Sequence, residues 1–360
     1  MIVELKDVCN KGTSNIRQKD IVSKPGDYPI YGASGLAGNV NFYQQEKESV
    51  AVVKDGAGIG RVMLLPSKAS IIGTMQYLIP KENILPEYLY YAVRNMHLEK
   101  YYSGATIPHI YFKDYQKEKI NLVSLKQQRE IVTLFNSIEN AINKKKNELS
   151  KLDTLIKARF VEMFGDIKNN KNYNYKLISD LTNVVSGGTP KRDVKEYWDR
   201  GTIPWVKTTE LKNNKVNSTE EYITKTGLQN SSAKLVPSHT IFIAMYGQGK
   251  TRGMTAYLEK EAATNQACAC ILPCSKINSE YLWQYLIMSY EELRNLAKGG
   301  NQPNLNSRMI KDFPILDPPI ALQNKFVSFI HQVDKSKVVI QKSLDETQTL
   351  FDSLMQKYFS

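Results

Sequence analysis

The stretch from Thr240 to Met254, TIFIAMYGQGKTRGM, holds residue types that could bind a nucleoside triphosphate. An apolar strand, a glycine-rich turn and a Gly-Lys-Thr sequence follow one another there, as in a phosphate-binding loop. In such a loop the lysine binds phosphates, the threonine holds magnesium and a helix N-terminus faces the phosphates. Here Ala244 replaces the leading glycine, and Gly253 stands where the helix should run. A P-loop NTPase is therefore kept only as an alternative.

A second possible enzyme signature is LDPPI, residues 316–320. It is similar to the Asp-Pro-Pro-aromatic sequence of DNA amino-methyltransferases, whose aromatic side chain stacks on a flipped base. Ile320 cannot stack in this way, and no glycine-rich loop for S-adenosylmethionine precedes it. Pro318 and Pro319 are instead typical of a boundary just before a helix. A methyltransferase-like enzyme stays a weaker interpretation, and the four scattered histidines suggest no hydrolytic triad.

The four cysteines are Cys9, Cys268, Cys270 and Cys274. Their spacing matches no zinc-binding pattern, and Cys268 and Cys270 would share one face of a strand. We therefore expect buried structural thiols in a reducing cytoplasm. No apolar run reaches the roughly 18 residues that cross a bilayer, and no secretory leader is visible, so a cytoplasmic bacterial or archaeal protein without a membrane partner is expected.

Charge gives the first indication of a partner. The 360 residues carry a formal net charge of +12 and a pI near 9.2. An excess of Lys and Arg favours a polyanion such as double-stranded DNA, because each neutralised phosphate releases counterions. A basic surface that serves only solubility is the alternative. The length allows two or three domains.

The sequence contains two related copies of one long segment. Residues 103–132 align with 299–327, with partners 195 positions apart, and the match continues along the chain to Phe164 and Phe359. Residues 87–89 match 280–282 at an offset of 193, and residues 5–13 match 181–189 at an offset of 176. A tandem duplication of a domain followed by a helix is therefore predicted.

Each copy ends in apolar residues at three-and-four spacing, without Pro or Gly for over thirty residues. This pattern predicts two long helices, each on the order of 50 Å, that pack on each other in opposite directions. The alternative is a long helix that packs only on its own domain. Short strands are predicted at 49–53, 71–79, 240–244 and 266–272, and short helices at 86–102 and 279–297.

The duplicated stretch also explains the glycine-rich loop. Residues 49–63 align with 239–254, so that the glycines of the two loops coincide and Arg61 falls opposite Arg252. The first copy lacks the Lys-Thr pair, whereas both copies keep glycines and cations. Glycines let the backbone approach a bulky partner, and the flanking side chains reach phosphates or base edges. We interpret both loops as facing DNA.

The whole pattern resembles the specificity (S) subunits of type I restriction-modification systems. The resemblance lies in LTNVVSGGTPKR (181–192), TIPWVKTTEL (202–211), GDYPIYGASG (26–35), GTMQ (73–76) and TNQAC (264–268), and in their duplicated order. One departure is SLKQQ (124–128), where the family has Pro-Pro before the first helix.

The resemblance implies a non-catalytic subunit with pseudo-two-fold symmetry, built from two α/β (α+β) target-recognition domains joined by an antiparallel coiled coil of two long helices. Its expected segments are recognition domains at 1–123 and 166–318 and spacer helices at 124–165 and 319–360. Each domain would read one half of a bipartite, asymmetric target, and the helices would set the gap between the halves.

The resemblance also implies partners and cofactors. Two adenine methyltransferase subunits would dock on the chain and bind S-adenosylmethionine. Where a motor is present, restriction subunits would bind ATP and Mg²⁺, and this chain itself would hold no cofactor.

Candidate contacts can be named at this stage. For DNA they are Tyr31, Ser34, Lys54, Arg61, Lys191, Arg192, Lys207, Thr208, Tyr246, Gln248, Lys250 and Arg252. For partner docking they are the exposed helix positions Lys144, Lys145, Lys146 and Glu148. A coiled-coil scaffold that does not read DNA is the third alternative.

Overall fold

The computed structural model describes residues 1–22, 25–103, 108–247, 249–297 and 304–360. They form two compact units: unit 1 is Met1–Glu148 with Ile340–Ser360, and unit 2 is Leu149–Val339. Each unit thus combines a mixed α/β region with parts of both long helices.

Unit 1 opens with short elements and then builds two small sheets. Its strands are β1 (Ile2–Glu4), β2 (Cys9–Thr13), β3 (Tyr28–Gly32), β4 (Gly35–Val40), β5 (Ser49–Val53), β6 (Val62–Leu65), β7 (Ser70–Ile71), β8 (Met75–Pro80) and β9 (Lys119–Asn121). Its helices are α1 (Leu5–Val8), α2 (Gln18–Val22), α3 (Pro86–Asn95), α4 (Phe112–Tyr115) and the first part of α5 (Leu125–Phe164), with a 3-10 turn at Leu98–Tyr101.

The antiparallel sheet of unit 1 has the order β2-β8-β5-β6, and a second sheet has the order β4-β3-β7 with β3 and β7 parallel. Strand β1 pairs with β9, just before the long helix. All five residues of β5 are buried, because its sheet is covered on both faces.

Unit 2 repeats this plan with one more strand in its main sheet. Its strands are β10 (Tyr175–Leu177), β11 (Val184–Ser186), β12 (Ile203–Val206), β13 (Asn214–Val216), β14 (Glu221–Ile223), β15 (Ile241–Ala244), β16 (Thr255–Leu258), β17 (Ala263–Thr264), β18 (Cys268–Ile271) and β19 (Pro314–Leu316). Its helices are the end of α5, then α6 (Ile178–Leu181), α7 (Lys225–Gln229), α8 (Ser279–Met288), α9 (Tyr290–Asn295), α10 (Ser307–Lys311) and the first part of α11 (Ile320–Phe359).

The sheets of unit 2 have the orders β11-β18-β15-β16-β13 and β14-β12-β17, and β10 pairs with β19. The main sheet therefore repeats the order β2-β8-β5-β6 of unit 1 and adds β13 at its edge, parallel to β16. The duplication predicted from the sequence is confirmed at the level of strand order.

The two long helices run antiparallel within each unit. In unit 1 the Phe135 ring lies 5.3 Å from Phe351 and 5.6 Å from Phe359, while Lys145 donates to the carbonyl of Ser343 at 3.0 Å. Residues later in α5 thus contact residues earlier in α11, as expected for antiparallel helices. In unit 2 the Phe160 ring lies 5.5 Å from that of Phe326. Lys337 bridges Asp153 at 2.6 Å. The predicted shared apolar seam is confirmed.

The predicted strand at 71–79 is wrong in its middle. The structure divides it into β7 and β8, because the backbone between them is used elsewhere: Gly73 donates to Ile16 O at 2.7 Å, and Thr74 O accepts from Lys54. The predicted helix at 86–102 ends at Asn95, where the chain turns through His97 with a φ of 51°. The predicted helix at 279–297 is two helices that meet at Ser289.

The offset between the copies is confirmed in the helices and wrong at the amino ends. Helices α5 and α11 begin and end 195 residues apart, and α3 and α8 begin and end 193 apart. At the amino ends, however, α1 corresponds to α6 at an offset of 173, not 176. Leu5 and Val8 are buried in α1 at the positions that Ile178 and Leu181 hold in α6. The burial of these apolar side chains, and not the Gly-Thr identity in the sequence, therefore determines which residues correspond.

The thiols behave as small buried side chains. Cys9, Cys268 and Cys270 are buried and Cys274 is half-buried. Burial raises the pKa of Cys9 and Cys268 to about 12, and it raises the pKa of Cys270 as well. These three thiols are therefore protonated and inert at neutral pH, as expected from the sequence. Among the described residues, no helix combines the length and the apolar character needed to cross a membrane.

Candidate nucleic-acid interface

The glycine-rich loop of unit 1 is the tip of the β5–β6 hairpin. Two backbone hydrogen bonds close it, from Gly60 N to Val53 O and from Val53 N to Arg61 O, both at 2.9 Å. Gly56 and Gly60 adopt φ values of 90° and 81°, which side chains rarely tolerate. A Cβ added at Gly56 would meet no atom of the described residues within 4 Å.

Arg61 joins the hairpin to a second loop. Its guanidinium donates to the carbonyl of Ala33 at 2.7 Å, in the turn between β3 and β4. Ser34 is exposed in that turn, and Tyr31 is half-buried at the end of β3. The structure thus brings Arg61 beside the turn that holds Ser34, as part of one loop cluster.

Lys54 and the residue after it lie at the base of the same loop. The backbone of Lys54 is fixed on both sides, because its N–H donates to Thr74 O and its carbonyl accepts from Ile110 N, each at 3.0 Å. The Lys54 ammonium lies 4.0 Å from the Asp55 carboxylate. Asp55 also pairs with the imidazole of His109.

The loop of unit 2 is the same kind of hairpin tip, two residues longer. Gly253 N donates to Ala244 O and Ala244 N donates to Met254 O, both at 2.9 Å. Since this pair of bonds closes the loop as in unit 1, Arg61 corresponds to Met254. The predicted match of Arg61 with Arg252 is therefore wrong by two residues. Gln248 lies outside the described residues.

This geometry does not fit a phosphate-binding loop. The loop leads into strand β16, whereas a phosphate-binding loop leads directly into a helix whose N-terminus faces the phosphates. Helix α9 supports the loop from behind: Tyr290 donates its hydroxyl to Lys250 O at 2.6 Å, and Arg294 donates to Arg252 O at 2.8 Å. The Lys250 side chain is exposed, and so is Tyr246, at 43%.

Two of the four other predicted DNA contacts in unit 2, Arg192 and Lys207, form ion pairs. Arg192 lies over the Trp198 ring, 3.7 Å from its centroid, and binds Glu221 at 2.5 Å. Lys207 binds Glu220 at 2.6 Å and Glu221 at 3.3 Å.

The pKa values follow these contacts. The hydrogen bond to Glu220 raises the pKa of Lys207. Burial alone would raise the pKa of Glu221, but hydrogen bonds from Arg192 and Lys207 lower it overall. Arg192 and Lys207 are therefore already paired with carboxylates.

The remaining two residues of that group differ from each other. Lys191 is exposed and has no ion pair with any residue that the structure describes. Thr208 is half-buried in the 3-10 turn Thr208–Glu210. Of the four predicted contacts in this region, Lys191 is thus the best placed to meet a phosphate.

The predicted docking positions lie in unit 1, where α5 packs on α11. Lys144 and Lys146 are exposed, as expected. The exposure expected for Lys145 and Glu148 is wrong, since both are half-buried. The Lys145 ammonium points into the seam, where it also donates to Thr347 Oγ1 at 2.5 Å.

The structure adds functional candidates that sequence reasoning missed. Asp55 and His109 belong to the loop cluster of unit 1, but they lie 54 residues apart and no motif joins them. Gln128 and Gln323 are partners in the alignment of residues 103–132 with 299–327, 195 positions apart. Both are fully buried at the starts of the long helices. A polar residue repeated at the same position of two apolar stripes was the available signal.

Comparison with known proteins agrees with this architecture. Residues 1–151 and 170–347 each match the family described as "Type I restriction modification DNA specificity domain". The specificity subunit of an Escherichia coli type I restriction enzyme is 28% identical over 163 residues, which cover 44% of this chain and 40% of that protein. The MjaIX specificity subunit of Methanocaldococcus jannaschii is 23% identical over 325 residues, covering 84% of this chain and 74% of that protein.

A solved structure shares the fold. The crystal structure of the type I restriction-modification S subunit from M. genitalium aligns with a TM-score of 0.62 at 15% identity, covering 100% of this chain and 96% of that one. At that identity the likeness concerns the fold alone. The two matches to one domain family, together with the repeated strand order, lead to a single assignment: the chain belongs to the type I restriction-modification DNA specificity family and carries the family's domain twice.

Proposed function

We propose that this chain is the non-catalytic specificity subunit of a type I restriction-modification complex. In this proposal each unit reads one half of a bipartite, asymmetric DNA target through its loop cluster. The long helices set the number of unread base pairs between the halves, in the way that protein geometry fixes half-site spacing in other DNA-binding proteins.

One observation carries the proposal. The same hairpin, closed by equivalent backbone hydrogen bonds, occurs once in each unit, but its exposed side chains differ between the units. A shared frame with different side chains suits two readers of different sequences, since phosphate contacts position a protein and base contacts specify the sequence.

The proposed partners are double-stranded DNA and two adenine methyltransferase subunits, with restriction subunits where a motor is present. S-adenosylmethionine, ATP and Mg²⁺ would be bound by those partners. The hairpin of unit 2 supports this division of labour, because a loop between two antiparallel strands is unsuited to holding a triphosphate.

The first test is a domain exchange. Replacing residues 170–318 by the second recognition domain of another specificity subunit should change one half of the target and leave the other half and the gap length as they were. The exchange keeps unit 1 and both long helices intact. The measurement is a map of methylated adenines in host DNA from cells that express the chain with its methyltransferase subunits.

Two outcomes would count against the proposal. A change in both half-sites would contradict independent reading by the two units. Absence of any bipartite methylated motif with the unexchanged chain would contradict the proposed function itself, and would favour the scaffold that does not read DNA.

A second prediction compares two lysines of unit 2. Lys250→Ala should weaken DNA binding several-fold and reduce the slope of log affinity against log salt by about 1, because an exposed ammonium can release one phosphate counterion. Lys207→Ala is the matched control and should leave the slope unchanged, since Glu220 and Glu221 already neutralise Lys207.

The measurement is fluorescence anisotropy of a labelled duplex with the assembled complex across a salt series. Tyr290 holds the Lys250 carbonyl and not its side chain, so the substitution leaves the loop supported. Equal losses of slope in both variants would contradict the assignment of Lys250 to a phosphate.

A further inference from the structure

The glycine-rich hairpin tips of the two units are held by the same backbone hydrogen bonds, which form a common frame, but they carry different side chains at two positions of it. In unit 1 the N–H of Ile110 donates to Lys54 O at 3.0 Å, and in unit 2 the N–H of Leu305 donates to Met245 O at 3.0 Å. On the other side, Lys54 N donates to Thr74 O at 3.0 Å and Met245 N donates to Ala267 O at 2.8 Å.

These equivalent bonds fix which residues correspond. Asp55, one residue after Lys54, takes the place of Tyr246. His109, one residue before Ile110, takes the place of Asn304. In unit 1 these two residues are bridged, one from the hairpin and one from the segment that crosses it, and Tyr246 and Asn304 hold the equivalent positions in unit 2.

In unit 1 this pair is an acid and an imidazole. Asp55 Oδ1 and His109 Nδ1 contact each other, and the two side chains are 27% and 24% exposed. The carboxylate uses Oδ1 for His109, and its Oδ2 lies 4.0 Å from the Lys54 ammonium. The His109 ring also packs on Tyr111, with ring centroids 3.9 Å apart. His109 therefore holds a carboxylate in a fixed orientation while part of it remains accessible.

The neighbouring backbone leaves this group open. Gly56 follows Asp55, and no atom of the described part of the chain lies within 4 Å of the position where its Cβ would be. Tyr111 is 48% exposed. An oriented carboxylate between an aromatic ring and an open glycine can reach a base edge, whereas its charge would repel a phosphate.

In unit 2 the same two positions carry a phenol and an amide. Tyr246 is 43% exposed. The Asn304 Oδ1 atom is buried and has no hydrogen-bond partner among the residues that the structure describes. Asn304 thus offers a neutral amide at the position that His109 holds in unit 1. The side chains at these two positions thus differ between an acid with an imidazole in unit 1 and two neutral groups in unit 2, while the backbone hydrogen bonds are the same.

We propose that these two positions determine the half-site sequences: Asp55, oriented by His109, reads the first half-site, and Tyr246 with Asn304 reads the second. This inference rests on the proposed function. A carboxylate only accepts hydrogen bonds, and the major-groove edge that it pairs with is the N4 amino group of cytosine. Asp55 therefore selects a cytosine, and His109 is a positioning residue.

The test uses the complete specificity–methyltransferase complex and maps methylated adenines across host DNA. Asp55→Asn should weaken the preference for one C:G pair in the first half-site by about tenfold and admit A:T there, because an amide pairs with adenine. His109→Gln should weaken the same preference at the same base pair. The second half-site and the gap should be unchanged in both variants.

Glu82→Gln is the matched control. It removes one carboxylate from an exposed loop of the same unit, away from the loop cluster, and should leave both half-sites unchanged. Tyr246→Phe, which removes only a hydroxyl, should weaken the preference at one base pair of the second half-site several-fold and leave the first alone. It tests the proposal independently if Asp55→Asn does not assemble.

The outcomes are distinguishable. An unchanged first half-site in a complex of Asp55→Asn with wild-type thermal stability would overturn the role of Asp55, as would an effect on both half-sites. An unchanged second half-site in Tyr246→Phe would overturn the role of Tyr246. If the wild-type complex methylates no bipartite site, the proposed function fails, and that result does not depend on any variant.

Discussion

Replacing Phe135 by alanine is expected to destabilise unit 1 by about 3–5 kcal/mol, as for other large buried aromatic residues. Phe135 is fully buried, and its ring contacts Tyr91 of α3 at 4.9 Å between centroids as well as two phenylalanines of α11. The cavity would lie where the recognition region and both long helices meet within unit 1. The neighbouring Leu134, which is 38% exposed, provides the control: Leu134→Ala should cost less than about 1 kcal/mol.

The measurement has to separate the two units. All three tryptophans, Trp198, Trp205 and Trp283, belong to unit 2, so their fluorescence reports on that unit. Amide hydrogen exchange in urea should show Phe135→Ala speeding exchange in α3 and in α5 before residue 148, while α8 keeps its protection. Equal protection of α3 in the wild type and in Phe135→Ala would show that the seam contributes little to unit 1.

Replacing Gln128 by methionine is expected to destabilise unit 1 by about 3 kcal/mol. The change keeps the side-chain volume but removes three hydrogen bonds. Gln128 is fully buried. It accepts from Leu85 N at 2.8 Å, at the start of α3, and donates to Val123 O at 2.9 Å and Asn83 O at 3.0 Å. The loss of Gln128 would leave these backbone groups unpaired.

The same substitution can be made in unit 2. Gln323 accepts from Asn278 N at 2.9 Å, at the start of α8, and donates to Pro318 O at 2.8 Å. Gln323→Met should lower the urea midpoint of tryptophan fluorescence, whereas Gln128→Met should be detected by hydrogen exchange in α3. Lys126→Met, at an exposed position of the same first turn of α5, is the control and should cost less than about 1 kcal/mol. A wild-type midpoint for Gln323→Met would remove the structural reason for the repeated glutamine.

The long helices were the most predictable part of the fold. Their apolar residues recur at helical spacing along helices of 40 residues each without a helix breaker, and a stripe of that length needs a partner. Strand β5 was also predicted with its bounds, since SVAVV is short, apolar and β-branched. The strand predicted at 71–79 is wrong in its middle, because Gly73 and Thr74 form backbone hydrogen bonds with distant segments instead of continuing the strand.

The candidate site was less predictable than the fold. Sequence alignment placed Arg61 opposite Arg252, but hydrogen bonds that close the hairpin set the true correspondence, and one-dimensional matching does not contain them. Lys207 was predicted as a phosphate contact, but Glu220 and Glu221, 13 and 14 residues later in the sequence, lie beside it in the structure. Likewise, the Asp55–His109 pair joins two segments that approach only in the folded sheet.

Residues 340–360 belong to unit 1 but are translated after the whole of unit 2. Phe351 and Phe359 cannot cover Phe135 until the ribosome has passed the intervening 191 residues of unit 2, Leu149–Val339, which takes ~10–40 s at ordinary bacterial elongation rates. During that delay the apolar side chains of α5 that pack on α11 in unit 1 lack this cover. A premature stop codon after residue 339 would therefore damage the recognition region that was synthesised first.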